Sequence, residues 1–274
     1  MKLIVGISTH RRADGSCAFL KQIVSCAEEK RLRRYHTLLR MLNKSKDIQL
    51  VIGAQGEDLR PILMEAKRVL RKPIDTFVHD GYNAGTAKHL VTQYMIDHYP
   101  KVDRVIIDDD AKYMLVERVG EEGKTDRRGF ASVLHRLQKG MRKHSVPQAG
   151  VIGTQRQKIQ IDVSYKATIS AGLYMMAHYA PNPFNDWSVL EDKRASYYLS
   201  EFQFELNRGD RSVAFCYRRN DYQLTTMNPS RPMDHPDYNK NMQMLQEEFP
   251  EFAPRIRRGR ASTLARSKAN RRKK

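Results

Sequence analysis

The feature that most constrains the fold is a β-branched run ending in three aspartates, Asp103-Arg-Val-Ile-Ile-Asp-Asp-Asp-Ala-Lys-Tyr-Met114. Val105, Ile106 and Ile107 predict a short strand buried on both faces. A buried strand that then emits Asp108, Asp109 and Asp110 has carried them to the edge of a sheet, and ligands of open α/β sheets bind at the carboxyl ends of strands. Side chains alternate along a strand, so Asp108 and Asp110 are expected on one face and Asp109 on the other. Two converging carboxylates repel each other unless a cation lies between them. Hard oxygen donors with no Cys or His close by in sequence favour Mg2+ or Mn2+ over Zn2+, and substrate phosphates fill the open positions of such an ion. The competing reading is an acidic turn whose charges are simply solvated.

The flanking pattern supplies the sheet. A strand over 2–8 is followed by a helical region over 16–43 with a break near Glu29, a strand over 48–53, a helix over 58–70, a strand over 75–79 and a helix over 84–98. The aspartate strand comes next. This alternation predicts an α/β fold, a nucleotide-binding (Rossmann-like), mostly parallel mixed sheet flanked by crossover helices. No Gly-rich dinucleotide fingerprint follows the first strand and no G-x-x-x-x-G-K-[ST] loop occurs, which disfavours the usual cofactor and ATPase variants. Further on, the sequence predicts a charged, mobile loop over 117–128, an amphipathic helix from Phe130 to Lys143 and a short strand over 149–154. A central strand containing a glycine is expected over 168–177, and a helix opens at Leu190-Glu191-Asp192.

Composition excludes several classes. No stretch approaches the ~20 apolar residues of a membrane span, and the first seven residues make only a strand-length apolar run. Cys17, Cys26 and Cys216 are odd in number and lack metal-like spacing, which points to a reducing, cytoplasmic setting without a disulfide framework. The net charge of +18 is the unusual quantity. Residues 254–274 carry ten Lys or Arg and no acid, so a basic tail holds more than half the excess and residues 1–253 keep about +8. A basic body with a basic arm implies a polyanionic partner, with nucleic acid the commonest; a merely solvated tail or an anionic membrane surface are the alternatives.

The order of acidic motifs is more specific than either motif alone. An Asp-x-Asp at a strand end is followed by an apolar, Gly-containing strand and then by Glu191-Asp192 at the start of a helix. The helix macrodipole by itself favours acids there. Together the motifs resemble the A-type glycosyltransferases, which use nucleotide sugars. The resemblance spans residues 1–225 as a catalytic domain, leaving 226–253 as a C-terminal lid or helix extension and 254–274 as the tail. With the opening Ile7-Ser-Thr-His-Arg-Arg12, the aspartate strand and the basic character, the chain also resembles phage glycosyltransferases associated with TET-type base oxidation and DNA hypermodification.

That resemblance implies a Mn2+ or Mg2+ ion held by Asp108 and Asp110, with His235 as the best candidate for a third ligand ahead of His10, His79 and His89. A surface histidine in a polar, Pro-rich loop is the plain alternative for His235. It implies a nucleotide-sugar donor, a UDP-sugar by expectation, near Ser8, Thr9, Arg11, Arg12, Asp80, Asn83, Asp108 and Asp109. Lys88 is expected to reach the phosphates as a point charge or else to lie exposed on its helix. In an inverting reaction Asp192 or Glu191 would take a proton from the acceptor; in a retaining one the leaving diphosphate would take it and the pair would bind the donor or acceptor sugar. The acceptor is expected to be a hydroxyl on double-stranded DNA, most specifically a hydroxymethylated pyrimidine, with Trp187, Tyr197 or Tyr222 stacking on the base. A metal-dependent nucleotidyltransferase with paired aspartates and a non-enzymatic nucleic-acid-binding protein are the competing classes.

The tail makes the first prediction. Removing residues 254–274 should weaken binding to duplex DNA and flatten its salt dependence by several units of log–log slope, since each phosphate contact contributes ~0.9. Binding measured across a salt series, full length against truncation, checks this; identical slopes would show a tail that is only solvated.

Overall fold

Alternating side chains divide the apolar strand residues between two layers, one on each face of a single sheet. The computed structural model describes residues 2–11, 15–31, 38–70, 73–118, 121–126, 130–151, 162–164, 173–206, 214–217, 223–226 and 235–254. The first half alternates as the sequence predicts: β1 (Leu3–Thr9), α1 (Ala18–Arg31), α2 (Leu38–Lys44), β2 (Ile48–Gln55), α3 (Arg60–Val69), β3 (Asp75–His79), α4 (Ala84–His98) and β4 (Arg104–Asp108). Then follow β5 (Ala111–Arg118), β6 (Glu121–Asp126), α5 (Phe130–Lys143), β7 (Gln148–Val151), β8 (Asp162–Ser164), β9 (Leu173–Met176), α6 (Glu191–Leu206), β10 (Ala214–Tyr217), β11 (Gln223–Thr226) and α7 (Tyr238–Glu248).

Eight strands form one mixed sheet in the order β3-β2-β1-β4-β9-β7-β10-β8. β3, β2, β1 and β4 run parallel. β9 lies antiparallel between β4 and β7, β10 runs parallel to β7, and β8 closes the edge antiparallel to β10. The expected central strand is therefore β9, in its described part, while the glycine preceding it lies outside the described residues. A second sheet of three strands has the order β11-β5-β6.

Val5, Ile7, Leu50, Ile52, Val105 and Ile107 pack on one face with Phe19 and Ile23 of α1 and Leu134 and Leu137 of α5. Ile4, Val51 and Ile106 pack on the other with Val91 and Met95 of α4 and Ala195 and Leu199 of α6. α4 lies so close to β2 that a Cβ on Gly53 would stand 2.6 Å from Val91 Cγ2. This closeness brings the first turns of α4 to the carboxyl ends of the parallel strands.

One expectation needs correction. The segment over 117–128 is not simply a charged loop: β5 runs through Arg118, β6 covers 121–126, and the two pair antiparallel. The helical region over 16–43 does divide as expected, α1 ending at Arg31, two residues past Glu29, and α2 beginning at Leu38. None of the described helices is long and apolar enough to cross a membrane.

The start of β4 is held by polar residues that sequence reading passed over. The carboxylate of Asp103, fully buried, accepts from Gln138 Nε2 at 2.9 Å, Arg142 Nε at 2.7 Å and the His178 amide at 2.9 Å. Burial alone would raise its pKa, but these donors outweigh burial and hold it below the usual 3.8. Next to it the buried Arg104 donates through Nη2 to the carbonyls of Ala177, His178 and Ala180. Both side chains thereby fasten β4 to the turn that follows β9.

Replacing Asp103 with Asn should lower stability by about 1–3 kcal/mol, because buried donors lose a charged acceptor. The carboxylate's contribution is present above pH 3.8 and is lost as pH falls through the lower value it has in the fold. Urea unfolding of both proteins at pH 7 and pH 3 should show a gap that narrows in acid.

Candidate active site at the carboxyl edge of the sheet

β1 and β4 end side by side, with Ser8 paired in register to Asp108. β4 stops at Asp108, and Asp109 and Asp110 make the turn into β5. The strand alternation that put Asp108 and Asp110 on one face therefore does not extend to Asp110. Asp109 does face away from solvent: it is 4% exposed and accepts at Oδ2 from Thr9 Oγ1 at 3.1 Å. Gln22 of α1 clamps the same turn, its Nε2 donating to the carbonyls of Asp109 at 2.8 Å and Ala111 at 2.6 Å. Thr9 and Asp109, expected near the donor, are thus buried against each other and shape the turn that presents Asp108. Gln22 was not singled out from sequence, although a glutamine beside Phe19, Ile23 and Cys26 on an apolar helix face was the available signal.

Lys88 is the centre of the site. It lies in α4, whose first turn is capped by Asn83: the Oδ1 of Asn83 accepts from the Thr86 amide at 2.9 Å. From there the Lys88 ammonium reaches Asp108 Oδ1 at 2.9 Å, Glu191 Oε1 at 2.8 Å and Asp192 Oδ1 at 3.0 Å. Its side chain is 8% exposed, against 33% for Asp108, 13% for Glu191 and 19% for Asp192. Lys88 is therefore neither an exposed helix lysine nor a free phosphate ligand. It ties the aspartate strand to the acidic pair, a link across 103 residues that spacing alone could not reveal.

The segment before α6 explains why the acidic pair arrives there. Asn83 Nδ2 donates to the Asp186 carbonyl at 2.6 Å, the Gly85 amide to the Trp187 carbonyl at 2.9 Å, and His89 Nδ1 lies 2.8 Å from the Phe184 carbonyl. A Cβ on Gly85 would come within 2.4 Å of the carbonyl oxygens of Asn185 and Trp187, so only glycine permits this contact. Leu190 then adopts φ 66°, a left-handed conformation uncommon for leucine, and the helix begins at Glu191.

The charges do not balance. Among the described residues one ammonium faces three carboxylates, a net −2 if all are ionised. The pKa of Lys88 is pushed well above its usual range: burial opposes its charge, but Asp108, Asp192 and Glu191 together prevail. Asp192 is pushed up to about 7, by burial first; Lys88 opposes this, and Glu191 and Asp108 add to it.

Other expected residues lie around this centre. Ser8 Oγ is buried and has no hydrogen-bond partner among the described residues. Arg11 donates through Nε to Asp58 at 2.9 Å and through Nη1 to the Gly15 carbonyl at 3.0 Å, and Asp80 is exposed on the loop after β3. Arg12, Tyr222 and residues 255–274 lie outside the described residues. Among the described residues no three His, Cys, Asp or Glu side chains come together to hold a metal, so Asp108, Asp110 and His235 do not form the expected trio. His235 instead accepts at Nδ1 from the Asp237 amide at 3.2 Å, in a turn that docks through Asp237 onto Ser188 Oγ at 2.6 Å. Trp187 and Tyr197 are buried in a cluster with Tyr238, Met242 and Phe249, which removes both from any stacking role.

Asp192 makes a prediction with an unusual sign. Its folded pKa lies above its unfolded value, so its contribution to stability is full below about pH 4 and is lost as pH rises through about 7. Asp192→Asn should therefore gain melting temperature relative to wild type at pH 8 and gain less at pH 5, as thermal unfolding at the two values would show.

No protein-family model and no curated protein sequence matches the chain. Among solved structures it is similar to TarS of S. aureus in complex with UDP, at a TM-score of 0.46 and 10% identity over 90% of this chain and 65% of that one. It is also similar to the mannosyltransferase PcManGT from Pyrobaculum calidifontis in complex with GDP-Man and Mn2+, at a TM-score of 0.50 and 12% identity over 98% of this chain and 75% of that one. At such identity the likeness is one of fold: a mixed α/β sheet flanked by helices, the fold of that mannosyltransferase.

Proposed function

We propose that the chain is a metal-dependent glycosyltransferase that moves a sugar from a nucleoside-diphosphate sugar to a hydroxyl on nucleic acid. The observation that carries this reading is the Lys88 link, which sets a strand-end aspartate beside a helix-start acidic pair at one edge of the sheet. The fold shared with a mannosyltransferase bound to GDP-Man and Mn2+ supports it.

The donor set suits a hard divalent cation. Asp108 and Asp110 offer carboxylate oxygens and are each partly exposed, and Mg2+ or Mn2+ is commonly held by one or two carboxylates with substrate phosphates and water completing the shell. A third protein ligand is not required. Such an ion, when bound, supplies positive charge for the departing diphosphate. The surplus negative charge around Lys88 argues the same need, since a diphosphate would not enter a site with more carboxylates than cations unaided. In this reading the donor lies over the ends of β1 and β3, near Ser8, Thr9, Arg11, Arg12, Asp80 and Asn83.

Asp192 serves as the base. A carboxylate whose pKa is pushed up to about 7 can accept a proton from an acceptor hydroxyl near neutral pH, and Glu191 and Lys88 hold it in place. The acceptor is assigned from charge: a body of about +8 with a tail of ten cations suits the phosphate backbone of DNA, and the fine substrate is a hydroxymethylated pyrimidine of the phage-modification type. With Trp187 and Tyr197 buried, Tyr82, 69% exposed on the loop leading into α4, takes the stacking role.

A thermal-shift panel of nucleoside-diphosphate sugars and nucleoside triphosphates, with and without Mn2+, tests the donor class. A ligand at a hundred times its Kd adds about 2.7 kcal/mol of stability. Mn2+-dependent stabilisation by a nucleotide sugar is expected, lost in Asp108→Asn. Stabilisation by triphosphates alone would transfer the chain to the nucleotidyltransferases. Asp192→Asn should keep donor binding while cutting transfer by ~10²–10⁴-fold.

A further inference from the structure

Lys88 Nζ and the proposed metal call on one carboxylate. Asp108 Oδ1 lies 2.9 Å from the ammonium, and Asp108 is also one of the two partly exposed carboxylates that would hold the cation, Asp109 being buried against Thr9. Two cations on one carboxylate repel each other and divide its charge. Each therefore weakens the other's hold on Asp108. Lys88 is held from the other side as well, by Glu191 at 2.8 Å and Asp192 at 3.0 Å, so it has two carboxylates on which to remain when the third is taken.

We propose that Lys88 is a built-in counter-ion that a divalent cation displaces from Asp108, leaving the ammonium on Glu191 and Asp192. This rests on the metal-dependent reading above and goes beyond it: Lys88 becomes a positioning residue through which arrival of the donor's metal is felt by the acceptor-side pair. Before the metal binds, the ammonium restrains Asp108, Glu191 and Asp192 together. After it binds, the same charge is shared by two carboxylates instead of three, and each is held more firmly. The donor and acceptor halves of the site are then coupled through the Lys88 ammonium. Burial of Lys88 at 8% exposure keeps solvent from taking the place of either partner.

The test is a direct Mn2+ titration without nucleotide, reading free Mn2+ by electron paramagnetic resonance, on wild type and on Lys88→Met, Lys193→Met and Asp108→Asn. Lys88→Met should bind Mn2+ roughly tenfold more tightly, the order expected when one competing charge pair is removed. Lys193→Met takes the same charge from the start of α6 and controls for the general field; it should gain clearly less. Unchanged affinity in Lys88→Met, or equal gains in the two lysine variants, overturns the proposal while leaving the metal reading intact. Undiminished binding in Asp108→Asn removes the metal reading itself and this proposal with it. Should Lys88→Met fail to fold, for want of a cation among three acids, the comparison is Lys88→Met/Asp192→Asn against Asp192→Asn. The same tightening is expected there, and its absence is equally decisive.

Discussion

A single ammonium inside a ring of carboxylates organises this molecule. Lys88 draws together the end of β4, through Asp108, and the start of α6, through Glu191 and Asp192, which are remote in sequence and enter from different layers. Buried charges are tolerated only when paired. Here the pairing is incomplete, because one cation serves three acids. The remainder of the charge is relieved by proton uptake at Asp192 or, in the proposed reaction, by an added cation. Structure and chemistry are thus consequences of the same imbalance.

The frame was legible because it follows from short-range rules. Period-two burial and β-branched residues gave β1, β2 and β4, helical spacing gave α4 and α5, and an apolar run ending in acids marked the candidate edge. What escaped was either local turn chemistry or long-range pairing. The end of β4 at Asp108 depends on Gln22 and Thr9 binding the turn from two other elements, so strand alternation could not be carried on to Asp110. The Lys88 link joins positions that no motif connects. The β5–β6 pairing was missed because eight of the twelve residues from Glu117 to Arg128 are charged and two are glycines, a loop-like composition. Trp187 and Tyr197 illustrate the opposite error: an aromatic near a site reads as a ligand contact until its neighbours are known, and here they are Tyr238 and Phe249.

The acidic edge and the basic surplus come from different parts of the sequence. Asp108, Glu191 and Asp192 supply the carboxylates around Lys88, while ten of the cations behind the net charge of +18 fall in residues 254–274. In the proposed reaction the first would serve the donor's cation and the second a polyanionic acceptor.

β4 is only five residues long, and its two ends are opposites. At the start, Asp103 meets three donors from three different residues and Arg104 caps three carbonyls, an arrangement with little room for exchange. At the finish, Asp108 is a third exposed and shares its one cation with two rivals. Loss of Asp103 or Arg104 leaves buried partners unsatisfied, whereas loss of Asp108 leaves Lys88 still paired with Glu191 and Asp192. Tolerance to substitution should therefore rise along β4: the residue just before it and its first residue anchor the sheet, while its last can lose its charge without losing the fold.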